Sequence, residues 1–196
     1  EFVGDRRLIA TYDPETYDPV DETATPPKRV NGTSSHRSTL LAAYFDVNPY
    51  YVDTLNIEAT RRFIEETHER YRRELPREVW DAIVGFFTDE PQISRDGIPW
   101  SPAVVEEYER RFGDSLIEVL PALVYETPGY RRVRYRFWKT VTDLFSDRFL
   151  RPIYEWCERY GKKLTGHLVT EEHFLDQIVS NGSVMPHYRY FHLPGM

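Results

Sequence analysis

Only one of the 196 residues is cysteine, Cys157, so no internal disulfide framework holds the chain together. It sits in an amphipathic run, Ile153-Tyr154-Glu155-Trp156-Cys157, and reads as a small buried hydrophobe. No apolar run reaches the roughly 18 residues of a transmembrane helix, and no membrane partner is expected. The opening residues Glu1-Phe2-Val3-Gly4-Asp5-Arg6-Arg7 lack the apolar core of a signal peptide. An excess of positive charge is missing too. Lys and Arg number 25 against 32 Asp and Glu, a net charge of −7. That argues against a nucleic-acid partner, which needs a basic stripe to release phosphate counterions. There is no phosphate-binding loop, dinucleotide fingerprint or Ser/Cys nucleophile pattern, so no cofactor is expected. Asn31-Gly32-Thr33 and Asn181-Gly182-Ser183 match the glycosylation pattern, which is short enough to arise by chance.

What the chain has in abundance is aromatic residues: 4 Trp, 14 Tyr and 11 Phe, or 15% of the total. Flat apolar ring faces stack on the C–H faces of sugar rings, while Tyr and Trp tips supply hydrogen bonds. Most such rings in any domain are nevertheless core. At 40% hydrophobic the chain can bury a sizeable core and does not read as disordered.

Residues 8–12 are strand-like, and residues 13–38, with Pro26-Pro27 near their centre, form a loop or the tip of a long hairpin. The apolar run 40–47 reads as a buried strand. From a capping Asn56, helical spacing takes over through Ala59, Phe63, Thr67 and Tyr71, ending before Pro76. Residues 82–88 are continuously apolar, as in a parallel strand buried on both faces. A helix then starts at Ser101 or Pro102, runs through Val105, Tyr108 and Phe112, and stops at Gly113. The longest helical stretch covers 130–160, with Pro152 set to kink or split it and Gly161 to close it. A strand at 163–169, a short helix at 171–179 and a strand opening at Tyr190 complete the pattern.

Alternation of strand and helix predicts the α/β class, with parallel βαβ units forming a partial (β/α)8 TIM barrel of about four barrel strands. Residues 1–38 are expected to form a strand plus a long loop or hairpin insertion, and residues 39–196 the partial catalytic barrel. Both ends cut through strand-like apolar segments, as in a piece of a larger protein. Half a barrel has open edges, and self-association through them is expected.

Functional groups gather at the carboxyl ends of parallel strands. Phe86-Phe87-Thr88-Asp89-Glu90-Pro91 delivers two carboxylates to such an end, with Pro91 expected to hold Glu90 extended at the rim. A general acid for a glycosidic oxygen needs a carboxyl raised by apolar or like-charged surroundings, which Phe86, Phe87 and Asp89 are placed to supply. Asp89 and Glu90 could equally cap a turn. Gly166-His167-Leu168-Val169-Thr170-Glu171-Glu172-His173 brings a His and two carboxylates to another strand end. His167 and Glu172 are candidate sugar contacts and Glu171 a candidate base, or both carboxylates sit in the first turn of a helix and favour its dipole. Trp100, in the Gly- and Pro-containing loop after residues 82–88, is a candidate sugar-stacking ring. His167, Glu171 and His173, with His187 and His192 downstream, match no zinc spacing, and no metal is expected. His36 and His68 read as surface residues.

Several segments in order resemble one group. They are Tyr51-Val52-Asp53-Thr54-Leu55-Asn56-Ile57, Phe87-Thr88-Asp89-Glu90-Pro91, Pro152-Ile153-Tyr154-Glu155-Trp156-Cys157, Leu164-Thr165-Gly166-His167-Leu168 and Met185-Pro186-His187-Tyr188 through Gly195. From about residue 40 onward the chain resembles bacterial glycosyl hydrolases related to the α-L-rhamnosidases of glycoside hydrolase family 106. The resemblance implies a (β/α)8 catalytic barrel, a carbohydrate substrate and Glu90 as the acid. It leaves the second carboxylate either beyond Met196 or at Glu171, and an acidic residue expected after Pro194-Gly195 is missing. A glycoside hydrolase segment is the leading reading. A non-catalytic carbohydrate-binding or structural barrel segment and a metal-dependent hydrolase are the alternatives.

Overall fold

The computed structural model describes residues 6–20, 40–94 and 97–195. In chain order it begins with strands β1 (Arg6–Tyr12) and β2 (Leu41–Asp46), helices α1 (Ile57–Glu66), α2 (His68–Glu74) and α3 (Arg77–Ala82), and strand β3 (Gly85–Asp89). Helices α4 (Pro102–Phe112), α5 (Leu116–Val119) and α6 (Tyr130–Phe145) follow, then α7 (Arg151–Arg159) and strand β4 (Lys163–His167). The last elements are α8 (Phe174–Asn181), α9 (Met185–Tyr188) and strand β5 (Leu193–Pro194).

The chain divides into two compact units. One comprises the described residues up to Tyr50 together with Asp114–Arg134. Here β1 and β2 pair antiparallel, Tyr12 opposite Leu41 and Arg7 opposite Phe45, with a register shift between Leu8 and Ala10. The loop or hairpin tip expected over residues 13–38 falls largely outside the described residues. β2 departs from expectation by being neither a barrel strand nor buried. A two-stranded ribbon leaves one face to solvent, and Tyr44 is 53% exposed. Tyr12 is the anchor. Its ring is buried, its hydroxyl donates to the Ile117 carbonyl at 2.6 Å, and burial pushes the phenol up to about 12.

The second unit, Tyr51–Gly113 with Tyr135–Met196, contains a parallel sheet in the order β3-β4-β5. Among the described residues three parallel strands stand where a partial barrel of about four was expected, a mixed helix and strand arrangement with a parallel sheet. The strand expected over 82–88 lies later, because Ala82 still ends α3. Lys162 ties that end down, its Nζ donating to the Trp80 and Ile83 carbonyls at 2.8 Å each while lying over the Trp80 ring. Burial on both faces fails as well. Phe86 packs on His68 and Trp156 at 4.9 and 5.4 Å between ring centroids, whereas Phe87 on the opposite face is 62% exposed. Leu193 of β5, exposed in the same row across the sheet, shows that this face has no cover among the described residues.

The helices behind the sheet follow the sequence signals closely. Asn56 caps α1 by accepting from the Glu58 amide, which contributes about 1 kcal/mol. Ser101 caps α4, and Gly113 ends it at φ 72°. Thr67 separates α1 from α2, its hydroxyl turned back onto the Phe63 carbonyl at 2.6 Å. The long helix divides as Pro152 predicts. α6 runs to Phe145, a wider π turn spans Ser146–Leu150, and α7 continues from it with Pro152 at its second residue, where the widened turn takes up the ring and the missing N–H. Phe137, Val141, Phe145, Phe149, Ile153 and Trp156 all face inward, each contributing about 1.5–3 kcal/mol by leaving water. Cys157 is buried as expected, and burial pushes its thiol up to about 12. Gly161 closes α7 in a left-handed turn, with the Lys162 amide reaching the Cys157 carbonyl and the Gly161 amide the Glu158 carbonyl.

His68 corrects the sequence reading. Far from a surface residue, it is buried among Phe63, Phe86 and Trp156. Its amphipathic helix pattern cannot reveal this, because an imidazole suits either face. Burial holds His68 and His187 down at about 4, against an ordinary 6.5. The unfolded chain therefore binds more protons between those values, and stability falls as pH drops from about 6.5 towards about 4. Calorimetry at pH 7 and pH 4.5 should show a lower Tm at the acid value, and His68→Leu should make that fall smaller.

Candidate active site

The parallel pairing of β3 with β4 matches Gly85 to Lys163 and Asp89 to His167. This brings the carboxyl ends of both strands, and the two segments singled out in the sequence, to one edge. His167 Nε2 lies 3.4 Å from Asp89 Oδ1, and its ring meets the Phe87 ring edge-on at 5.8 Å. Ligand atoms of Asp89, Glu90 and His167 all fall within 4.8 Å of one another. His167 is partly buried, while both carboxylates are exposed. The apolar cover expected for Glu90 is therefore absent.

Glu90 also differs in backbone. Pro91 was expected to hold it extended, but its φ is 51°, on the left-handed side that non-glycine residues avoid. The segment beyond accounts for the turn. Pro91 is buried, the Gln92 amide donates to the Tyr51 hydroxyl at 3.1 Å, and the Ile93 amide donates to the Ser180 carbonyl at 2.9 Å. Those anchors pull the chain sharply aside as soon as β3 ends. Thr170, after β4, has φ 56°, so both rim loops hold a strained residue.

Glu171 and Glu172 do not open a helix. α8 starts at Phe174, leaving both in the turn before it. Glu172 is exposed, whereas Glu171 is half-buried. Burial raises the Glu171 carboxyl above its ordinary value, with the negative charges of Glu172 and Glu90 adding to this and its own amide and His167 opposing it. Glu171 thus belongs electrostatically with Glu90 and His167. Trp100 is half-buried in a different loop, just before the Ser101 cap of α4.

The other described histidines lie elsewhere, and His36 falls outside the described residues. His187 is fully buried with Nε2 at 2.8 Å from the Asn181 carbonyl, and His192 Nδ1 accepts from the Leu164 amide at 2.9 Å. His173 is exposed ahead of α8. The donor set that could take a cation, among the described residues, is therefore Asp89, Glu90 and His167. Sequence reasoning missed Gln177, Asn181 and Tyr188. Gln177 Nε2 donates to the Glu171 carbonyl at 2.6 Å, and Asn181 Nδ2 to the Val169 carbonyl at 2.6 Å. Tyr188 has a buried hydroxyl, its phenol raised by burial and then by the Glu171 charge. An amide on an amphipathic helix looks like ordinary surface, so no local signal marks them.

No protein-family pattern matches the chain, and no curated protein matches it. Among solved structures it is similar to the rhamnosidase from Novosphingobium sp. PP1Y, with a TM-score of 0.56 and 19% sequence identity. The likeness covers 72% of this chain and 13% of that one, so the chain spans a small part of the larger protein's length. It is a likeness of fold, in accord with the mixed helix and strand architecture and the three-stranded parallel sheet. Because only glycine tolerates the left-handed region at no cost, Glu90→Gly should raise stability by about 1 kcal/mol, measured as a higher Tm or denaturant midpoint.

Proposed function

We propose that the chain is the carboxylate-bearing part of a glycoside hydrolase, with Glu171 and Glu90 as its catalytic pair. The observation that carries this reading is the charge coupling of a half-buried Glu171, its carboxyl raised by burial, to Glu90 and His167, which stand at the ends of adjacent parallel strands. Cleavage of a glycosidic bond needs one carboxyl that still holds a proton for the leaving oxygen and a second that acts as base or nucleophile. The sequence placed the acid at Glu90. Burial and two neighbouring negative charges favour Glu171 as the donor instead, leaving Glu90 the partner role. Asp89, His167 and Glu172 surround the pair with groups suited to sugar hydroxyls, and the exposed Phe87 ring offers an apolar face. The solved neighbour's name supports a rhamnoside as the first substrate to try.

The direct test is turnover of nitrophenyl glycosides, rhamnoside included. Glu171→Gln should lower kcat by about 10²–10⁴-fold, while sugar binding by calorimetry stays near wild type. A binding segment without catalysis would show binding and no turnover in either protein.

A second reading rests on the Asp89, Glu90 and His167 donor set, which fits a divalent cation with mixed oxygen and nitrogen ligands. If such an ion belongs here, calcium or zinc should raise the Tm of wild type and leave Asp89→Asn unmoved. Self-association accompanies either reading, supported by the uncovered sheet face that bears Phe87 and Leu193. Light scattering should then give a mass that rises with concentration, and a monomer at all concentrations would argue against it.

A further inference from the structure

The last turn of α8 is hydrogen-bonded to both rim loops. Ser180 accepts twice. Its carbonyl takes the Ile93 amide at 2.9 Å, in the loop just after Glu90-Pro91, and its hydroxyl takes the Thr170 hydroxyl at 3.0 Å, in the loop that carries Glu171. One residue thus links the chain beyond β3 to the chain beyond β4. Asn181 follows with its side-chain nitrogen on the Val169 carbonyl and its own carbonyl held by His187. One turn earlier, Gln177 holds the carbonyl of Glu171 itself.

Asn181 is fully buried, and its Oδ1 has no hydrogen-bond partner among the described residues. An orphaned buried oxygen is unfavourable, and an apolar side chain of the same shape would avoid it. The amide is therefore kept for what its nitrogen does, which is to grip the turn ahead of Glu171. The same burial closes Asn181 to glycosylation in the folded chain, although it begins an Asn-Gly-Ser pattern. Behind it, His187 is held against Phe145 at 4.9 Å between ring centroids, and Gly182 lies so close to Thr142 that a Cβ would meet its hydroxyl at 2.2 Å. The grip is thus anchored in the helical core.

We propose that Asn181 and Gln177 are positioning residues that hold the Val169–Glu171 turn, and so set where the Glu171 carboxyl stands relative to Glu90. The inference rests on the carboxylate-pair reading for its catalytic consequence, but the placement itself is independent of any substrate. Thr170 shows that the turn needs holding. A β-branched residue at φ 56° would relax if its neighbours released it.

The test uses Gln177→Ala, which removes one grip at a partly exposed site, and Asn181→Leu, which removes the other together with the orphaned oxygen. Carbon-13 labelling of glutamate carboxyls reports Glu171 directly. In both variants its resonance should titrate at a lower pH than in wild type as the turn moves towards solvent, while the Tm of Gln177→Ala stays close to wild type. With a nitrophenyl glycoside, kcat should fall about 10–100-fold with KM little changed. If Gln177→Ala folds as wild type and its Glu171 carboxyl titrates unchanged, the proposal is wrong. Should Asn181→Leu fail to fold, Gln177→Ala decides alone by the same carboxyl measurement. Absence of turnover in wild type would count against the hydrolase reading, while the carboxyl measurement would still decide the positioning one.

Discussion

Everything at the candidate site depends on the pairing of β3 with β4, and that pairing depends on two glycines. At Gly166 a Cβ would lie 2.0 Å from the Thr88 carbonyl oxygen, and at Gly85 it would lie 2.3 Å from that of Lys163. Gly166 also has φ 137°, which side-chain-bearing residues rarely adopt. Because neither position carries a side chain, the two strands run close enough for Asp89 to sit opposite His167. A shift of one residue would turn His167 to the other face, and the group of acid and imidazole would be lost.

From that pairing the structure builds in two directions. Behind the sheet, Phe86 and Leu164 meet α1, α2 and α7 through His68 and Trp156, with Glu69 receiving the Trp156 indole and the Tyr160 hydroxyl at 2.7 and 3.1 Å. Ahead of it, β3 and β4 end in strained loops, and α8 ties those loops together. A dense ion network at Glu107, with Arg110 and Arg111 bound and Arg148 nearby, holds its carboxyl at about 2. The buried aromatic packing of the second unit thus lies behind the sheet, while Asp89, Glu90, His167 and Glu171 stand at its strand ends and the loops beyond them. That division is usual where a scaffold positions a site.

The placement of these residues at strand ends was legible in the sequence. Both segments picked out, 86–91 and 166–173, come together as parallel strands require, and Asp89, Glu90, His167 and Glu171 form one electrostatic group. Legibility stopped where the role of a residue depended on its surroundings. Glu90 was read as the covered carboxyl and is exposed, while Glu171, read as either a base or a residue of a helix's first turn, is half-buried in the turn before α8. Strand neighbours such as Phe86 and Phe87 do not reveal cover, since successive side chains point to opposite faces and Phe87 alone shares a face with Asp89. Likewise, β2 has the composition of a buried strand but among the described residues pairs only with β1, so its apolar residues stay partly wet.

By itself the sequence determined the local elements. Capping residues Asn56 and Ser101, the stops at Gly113 and Gly161, the split near Pro152 and the strands around 86–89 and 163–167 are all written in propensity, periodicity and backbone chemistry. These signals act over a few residues and need no partner from afar. Only the tertiary structure decided how many strands share the sheet, that His68 and His187 lie buried, that Glu90 is left in the open, and that Gln177 and Asn181 hold the Glu171 turn. Each of these depends on groups far apart in the chain meeting at a distance of a few ångströms, and burial, charge coupling and hydrogen-bond partners exist only once they have met.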